Sequence, residues 1–160
     1  MSVSGRWWIV RRYLVVANQT LGGEELWGAI RERIAGGDCH FHLLVPATPA
    51  AQLDPGSTTE VVAAEGGTGE DLGRRLARQR MRHELDRMRE LGASVSGEIG
   101  VADPVDAVRV VLHRWEFDEV IVSTLPGRRS RWLAADLPTK IRRGFKLQVT
   151  QVTGATVAKG

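Results

Sequence analysis

Six residues in one short stretch, Ser123, Thr124, Gly127, Arg128, Arg129 and Ser130, are of the types needed to hold an anion. Hydroxyls both donate and accept, Gly127 permits a tight turn, and an arginine fork can grip a phosphate or carboxylate at two oxygens. They follow Val120–Val122, an apolar β-branched run too short for a helix, and a helical pattern resumes after them. Residues 118–143 therefore read as buried strand, polar loop and helix. In open parallel sheets ligands sit beyond the carboxyl ends of the strands, where such a loop feeds the next helix. Around it, Arg128, Arg129, Arg131, Lys140, Arg142, Arg143 and Lys146 face only Asp136, a balance that attracts anions. Two readings stand open: the arginines grip an anionic ligand, or the hydroxyls satisfy the loop and the arginines are solvated.

Other groups able to do chemistry are scattered. His40 and His42 project to one face of a strand pattern, as a metal site would ask. No Asp, Glu or Cys at a matching spacing completes three or four ligands, so no metal is expected and the histidines are assigned to core or cleft. Cys39 is the single cysteine; it has no disulfide partner and reads as a small buried hydrophobe in a reduced, cytoplasmic setting. No nucleophile and base stand at a telling spacing, and near the loop only Asp136 and a strand-two histidine are available as a base. No catalytic residue is assigned, and the chain is expected not to be an enzyme; a weak ATPase or nucleotide hydrolase is the alternative.

The elements that must position these groups are clear. The chain has 160 residues, 42% hydrophobic and 26% charged, which suits one domain with a real core. Tyr13–Ala17 reads as strand one, Glu24–Ala35 as a helix stopped by Gly36-Gly37, and Cys39–Val45 as strand two closed by Pro46. Residues 46–68 are a long connection rich in Pro, Ala, Thr and Gly. Thr68 and Asp71 make a capping-box signal for a long helix with Leu76, Met81, Leu85, Met88 and Leu91 as its apolar stripe and Gly92 as its end. Ala93–Ile99 is strand three. Asp103-Pro104-Val105-Asp106 opens a helix whose buried face is Val108, Val111, Leu112 and Trp115. After strand four, Ser130–Ala135 and Leu137–Arg143 read as two helical pieces, with the Asp136 carboxylate capping the second, and Leu147–Val152 as strand five.

Strand and helix thus alternate five times without hairpin signals, which requires a parallel sheet covered on both faces: a single doubly wound α/β domain. Residues 1–11, with Trp7 and Trp8, are an N-terminal extension, 12–153 the domain and 154–160 a tail. The long helix carries Arg74, Arg75, Arg78, Arg80, Arg82, Arg87 and Arg89, but Glu70, Asp71, Glu84, Asp86 and Glu90 are interleaved and no aromatic residue is present to stack on bases. A solvated, ion-paired outer face is expected, and no nucleic acid. No apolar run is long enough to span a membrane. Arg11-Arg12-Tyr13-Leu14-Val15-Val16 has an outline of a twin-arginine signal, but the run ends at once in Asn18-Gln19-Thr20, so export is not expected.

From about Arg12 to Val152 the order and lengths of the elements resemble the universal stress protein family. The residues that carry this are Tyr13-Leu-Val-Val-Ala-Asn, Phe41-His-Leu-Leu-Val, Ala102-Asp-Pro-Val-Asp-Ala-Val and Phe117-Asp-Glu-Val-Ile-Val-Ser-Thr. Ser123-Thr-Leu-Pro-Gly, Ser130-Arg-Trp-Leu and Asp136-Leu-Pro look like an actinobacterial branch. The resemblance implies a homodimer in many members and ATP or another adenine nucleotide, such as AMP, in some. Nucleotide-binding members show Gly-x-x-Gly, nine residues, then Gly with Ser or Thr; here Ser123, Pro126, Asp136 and Leu137 stand at those places. Pro126 has no N–H to offer a phosphate, and an Asp at the helix start puts negative charge where the phosphate would go. Asn18 stands where the family's base-contacting Asp ends strand one.

Taken together, the expectation is a non-enzymatic stress-response or regulatory protein with a modified pocket for a small anionic ligand, not taking ATP in the family's usual pose. Asn18, Thr20, Val45, Ser123, Thr124, Gly127, Arg128, Arg129 and Ser130 are its candidate binding residues. An adenine-nucleotide sensor is the alternative. The last strand, Gln148, Val149, Thr150, Gln151 and Val152, is expected to pair with its twin in a homodimer.

Overall fold

The computed structural model describes residues 10–18, 20–21, 23–47, 69–125 and 136–154. Most of the long connection, the residues 126–135 and the tail beyond Gly154 lie outside them, and so do Trp7, Trp8 and the helical reading of Ser130–Ala135.

Among the described residues nine elements follow one another: β1 (Arg11–Val16), α1 (Glu24–Ala35), β2 (Cys39–Pro46), α2 (Gly69–Glu90), β3 (Ser94–Gly100), α3 (Pro104–Arg114), β4 (Glu119–Thr124), α4 (Leu137–Phe145) and β5 (Gln148–Thr153). The five strands form one sheet in the order β3-β2-β1-β4-β5, and every pair is parallel. The doubly wound α/β expectation holds. Its cause is visible in the central strands: Tyr13–Val16 and Val120–Val122 are buried at every position, because parallel strands with crossover helices are covered on both faces.

Alternation sends Val15, Leu43, Val45 and Ile121 to one face, where Leu26, Trp27 and Ile30 of α1 and Ala77, Leu85 and Met88 of α2 cover them. Leu14, Val16, Leu44, Val120 and Val122 go to the other face, under Ala107, Val108 and Val111 of α3 and Leu137 and Ile141 of α4. Each Val, Leu, Ile or Met side chain among these contributes roughly 1.5–3 kcal/mol on burial. Gly100 lets α3 come close: a Cβ there would stand 2.8 Å from the Ala107 Cβ and 2.9 Å from Leu44 Cδ1.

The start of α3 is as expected. Asp103 Oδ1 accepts the backbone N–H groups of Val105 and Asp106 at 2.9 and 3.2 Å, and Pro104 occupies the first turn, where its missing N–H costs nothing. Gly92 follows α2 at φ +85°, a backbone few other residues tolerate.

Three expectations fail. Trp115 is not on the buried face of α3; it is the C-cap, extended and 46% exposed, because the helix ends one residue earlier and the chain turns toward β4. Leu91 falls past the end of α2 and is likewise exposed. Glu84 does not belong to a solvated face: it is 1% exposed, since it stands seven residues from Ala77, three from Met81 and four from Met88, on the apolar stripe itself.

Candidate functional site

The sheet order places the switch in chain direction between β1 and β4, and their carboxyl ends open a crevice there. Asn18 and Thr20 follow β1, Ser123 and Thr124 end β4, and Val45 lies near the end of β2; all five are buried. Of these five, the structure joins Thr20 to Ser123 and ties Asn18 to Pro46, next to Val45, whereas Thr124 ends the same strand as Ser123 but turns to the other face. Gly127, Arg128, Arg129 and Ser130 lie outside the described residues.

Asn18 is held on two sides. Its Nδ2 donates to the Pro46 carbonyl at 2.8 Å, bridging β1 to β2, and its Oδ1 accepts from Arg80 Nη1 at 2.7 Å. The chain then turns, with the N–H of Leu21 on the Asn18 carbonyl and that of Gly23 on the Thr20 carbonyl, before α1 begins. Across the crevice the Thr20 and Ser123 hydroxyls are 2.6 Å apart and share one hydrogen bond. Thr124 points to the other face by alternation; its Oγ1 is buried without a partner among the described residues, while its carbonyl accepts the Gly154 N–H at 3.0 Å.

The expected role of Asp136 needs correction. It does occupy the N-cap position of α4, but with left-handed backbone angles, φ 56° and ψ 43°, and its side chain makes no capping hydrogen bond. An Ncap residue needs an extended backbone to turn its carboxylate onto the second or third N–H of the helix. The backbone of Asp136 does the capping instead, its carbonyl accepting Lys140 N–H at 3.1 Å.

Sequence reasoning missed Arg80 as the partner of Asn18. The signal was its position four residues before Glu84, on the inward side of α2. It also missed the pair at the opposite end of the sheet. Glu119, buried at the start of β4, accepts from Arg33 Nη2 at 2.7 Å and from the Thr150 hydroxyl. Burial alone would raise the Glu119 carboxyl, but those hydrogen bonds and the charges of Arg33 and Arg11 outweigh it and hold it below the usual range. A cleft of about 500 Å³ adjoins this pair, lined by Arg11, Tyr13, Glu32, Arg33, Asp38 and Glu119. It lies at the amino ends of the strands, away from the crevice, and its principal cation already has two anionic partners, Glu119 and Glu32.

His40 and His42 stand on the α3 side of β2 and hydrogen-bond to β3. Among the described residues no group of three or more His, Cys, Asp or Glu is placed to hold a metal ion, and no helix is long and apolar enough to cross a membrane. Cys39 is a free thiol, half-buried against the core that α1 and α2 cover.

A crystal structure of a universal stress protein family protein from Arabidopsis thaliana, with AMP bound, superposes on this chain with a TM-score of 0.56. The match spans 90% of this chain and 92% of that one, at 12% sequence identity. The fold is that of a universal stress protein. No protein-family model matches the chain, and no curated protein sequence does. The resemblance of the sequence to this family and the architecture of the sheet thus agree at the level of fold.

Proposed function

We propose that the chain is a non-enzymatic regulatory module of universal stress protein type, whose crevice takes a small anionic ligand but not ATP in the family's usual pose. The observation that carries this is the state of Asn18: both ends of its side-chain amide are bound internally, by the Pro46 carbonyl and by Arg80. An incoming base would have to displace a charge-assisted hydrogen bond, and one to a charged group contributes roughly 1.5–3 kcal/mol. Ser123 is likewise turned onto Thr20, and the glycines that would let backbone N–H groups approach a triphosphate are absent from residues 123, 126 and 136. Arg128 and Arg129 supply the charge for a smaller anion.

Thermal denaturation with ATP, ADP, AMP, cyclic AMP and inorganic phosphate, each with magnesium, tests the reading, because a ligand that binds only the folded state raises the midpoint. Inorganic phosphate should raise it and Arg128→Ala should abolish the rise, AMP should add nothing beyond what phosphate gives, and ATP should leave the midpoint unchanged. An AMP or ATP shift larger than that of phosphate, which would mean the base is gripped, would overturn the argument from Asn18.

A second reading, an adenine-nucleotide sensor, is favoured by one observation: a protein of this fold is known with AMP bound. Under it, Arg80→Ala, which frees the Asn18 carbonyl oxygen of that partner, strengthens nucleotide binding.

Self-association through β5 belongs to the same proposal. Among the described residues β5 is an edge of the sheet, and Gln148, Gln151 and Thr153 on it are exposed, so its open backbone groups are available to a second copy.

A further inference from the structure

The face of β2 and β3 that α3 borders carries a row of polar side chains set side by side by the strand register, which pairs His40 with Ser94 and His42 with Ser96. Ser94 Oγ lies 2.8 Å from His40 Nδ1, and Ser96 Oγ lies 2.9 Å from His40 Nε2 and 2.7 Å from His42 Nδ1. His42 Nε2 is 2.6 Å from Glu98 Oε2, and Arg114 Nη2 reaches the two Glu98 oxygens at 2.6 and 2.7 Å.

These contacts have one consistent polarity when both rings are neutral. Burial opposes ionisation of Glu98, but hydrogen bonds from His42 and Arg114 and their charges overcome it and hold the carboxyl below its usual range, so it only accepts. His42 Nε2 then donates to it, His42 Nδ1 is left as an acceptor, and the Ser96 hydroxyl donates to that nitrogen. The Ser96 oxygen in turn receives the His40 Nε2 proton, and His40 Nδ1 accepts from Ser94. Burial, the Arg12 guanidinium and the neighbouring His42 push His40 down from its ordinary value, which favours the neutral ring this chain requires.

We infer that Ser96 is an activated nucleophile that accepts an acyl group, with His42 as its general base and Glu98 as the group that positions His42. Hydroxyl, imidazole and carboxylate stand in that order with links of 2.7 and 2.6 Å, inside the range at which a base takes a nucleophile's proton. The row is only half-buried, and among the described residues β3 is an edge strand with no further strand beside it in the sheet, so a small donor has access. The donor class is an activated ester. Ser96 Oγ attacks its carbonyl carbon and forms the new C–O bond while His42 Nδ1 takes the hydroxyl proton. The bond from that carbon to the leaving oxygen then breaks, the leaving group departs with the proton from His42, and Ser96 remains as its ester.

The probe is p-nitrophenyl acetate on the full chain, read by intact mass, peptide mapping and p-nitrophenolate release. One acetyl group on Ser96 is expected, absent in Ser96→Ala. Its rate of formation should fall about a hundredfold in His42→Ala, the order of a general-base contribution, and added imidazole should restore part of it. Acetyl groups only on lysines or the N-terminus, or a Ser96 rate that His42→Ala leaves unchanged in a folded variant, would overturn the inference. If Ser96→Ala fails to fold, peptide mapping of the unmodified chain decides.

Discussion

Thr20 and Ser123, 103 residues apart in sequence, share a 2.6 Å hydrogen bond that ties the turn after β1 to the end of β4. Both are buried, so neither hydroxyl has ready recourse to water if the other is removed. Thr20→Val should lower stability by about 1–3 kcal/mol, the cost of leaving a buried donor unsatisfied. Thr20→Val with Ser123→Ala together should cost less than the sum of the two single changes. Urea denaturation of the four proteins measures both.

Glu119 gives a pH dependence with a definite sign. Its carboxyl is held below the usual range in the folded chain by Arg33 and Thr150, so its stabilising contribution is present above the unfolded carboxylate value. As pH falls from there through the lower, folded value, that contribution is lost. Glu119→Gln should flatten this acid limb and destabilise the chain at neutral pH by leaving Arg33 without its buried partner. Denaturation midpoints between neutral and strongly acidic pH check it.

Glu84 behaves in the opposite sense. Burial raises its carboxyl, against weaker lowering by Arg87 and His83, and both oxygens lack a hydrogen-bond donor among the described residues. The folded state therefore holds the proton more tightly, and stability declines as pH rises from the unfolded value through the folded one. Glu84→Gln removes the buried charge and should raise the thermal midpoint at pH 7. A lower midpoint would mean that the 3.7 Å pair with Arg87 outweighs the burial cost.

Gly100→Ala should destabilise the chain by about 1–3 kcal/mol, as overpacking does. The new methyl would meet the Ala107 Cβ at 2.8 Å, and α3 must move off the sheet to admit it. Gly154→Ala is the matched control: its closest contact is Glu25 Oε1, the end of a flexible side chain that can swing away. Denaturation of the two variants should therefore give a large loss for the first and a small one for the second.

The proposed dimer makes a separate demand on β5. Gln148, Gln151 and Thr153 are exposed, so changing all three to Glu leaves the fold intact and sets like charges along the edge. Sedimentation should show a dimer in the parent chain and a monomer in the variant.

Much of this was legible in the residues because local rules and the global fold agree. Asp103-Pro104 announced α3, Gly36-Gly37 and Gly92 marked helix ends, and the apolar runs at Tyr13 and Val120 could only be strands covered on both sides. What was not legible depends on the third dimension. Arg80 looked like one of seven arginines on a charged helix until the packing of α2 brought it to Asn18. Asp136 carried a capping residue type, but its left-handed backbone turned the carboxylate away. The partners of His40 and His42 were hidden by more than fifty residues of chain, since register between parallel strands is set by crossover packing and not by a turn. The crevice itself was placed by strand order alone, as the rule for open sheets directs.

Gly154, immediately after β5, is buried, donates to the Thr124 carbonyl and faces the Glu25 side chain. The polypeptide thus leaves its last strand against the wall of the crevice, between the end of β4 and the first turn of α1. A spectroscopic label at residue 25, whose side chain faces this glycine, therefore stands at the crevice wall and is a natural place from which to observe occupancy of the crevice.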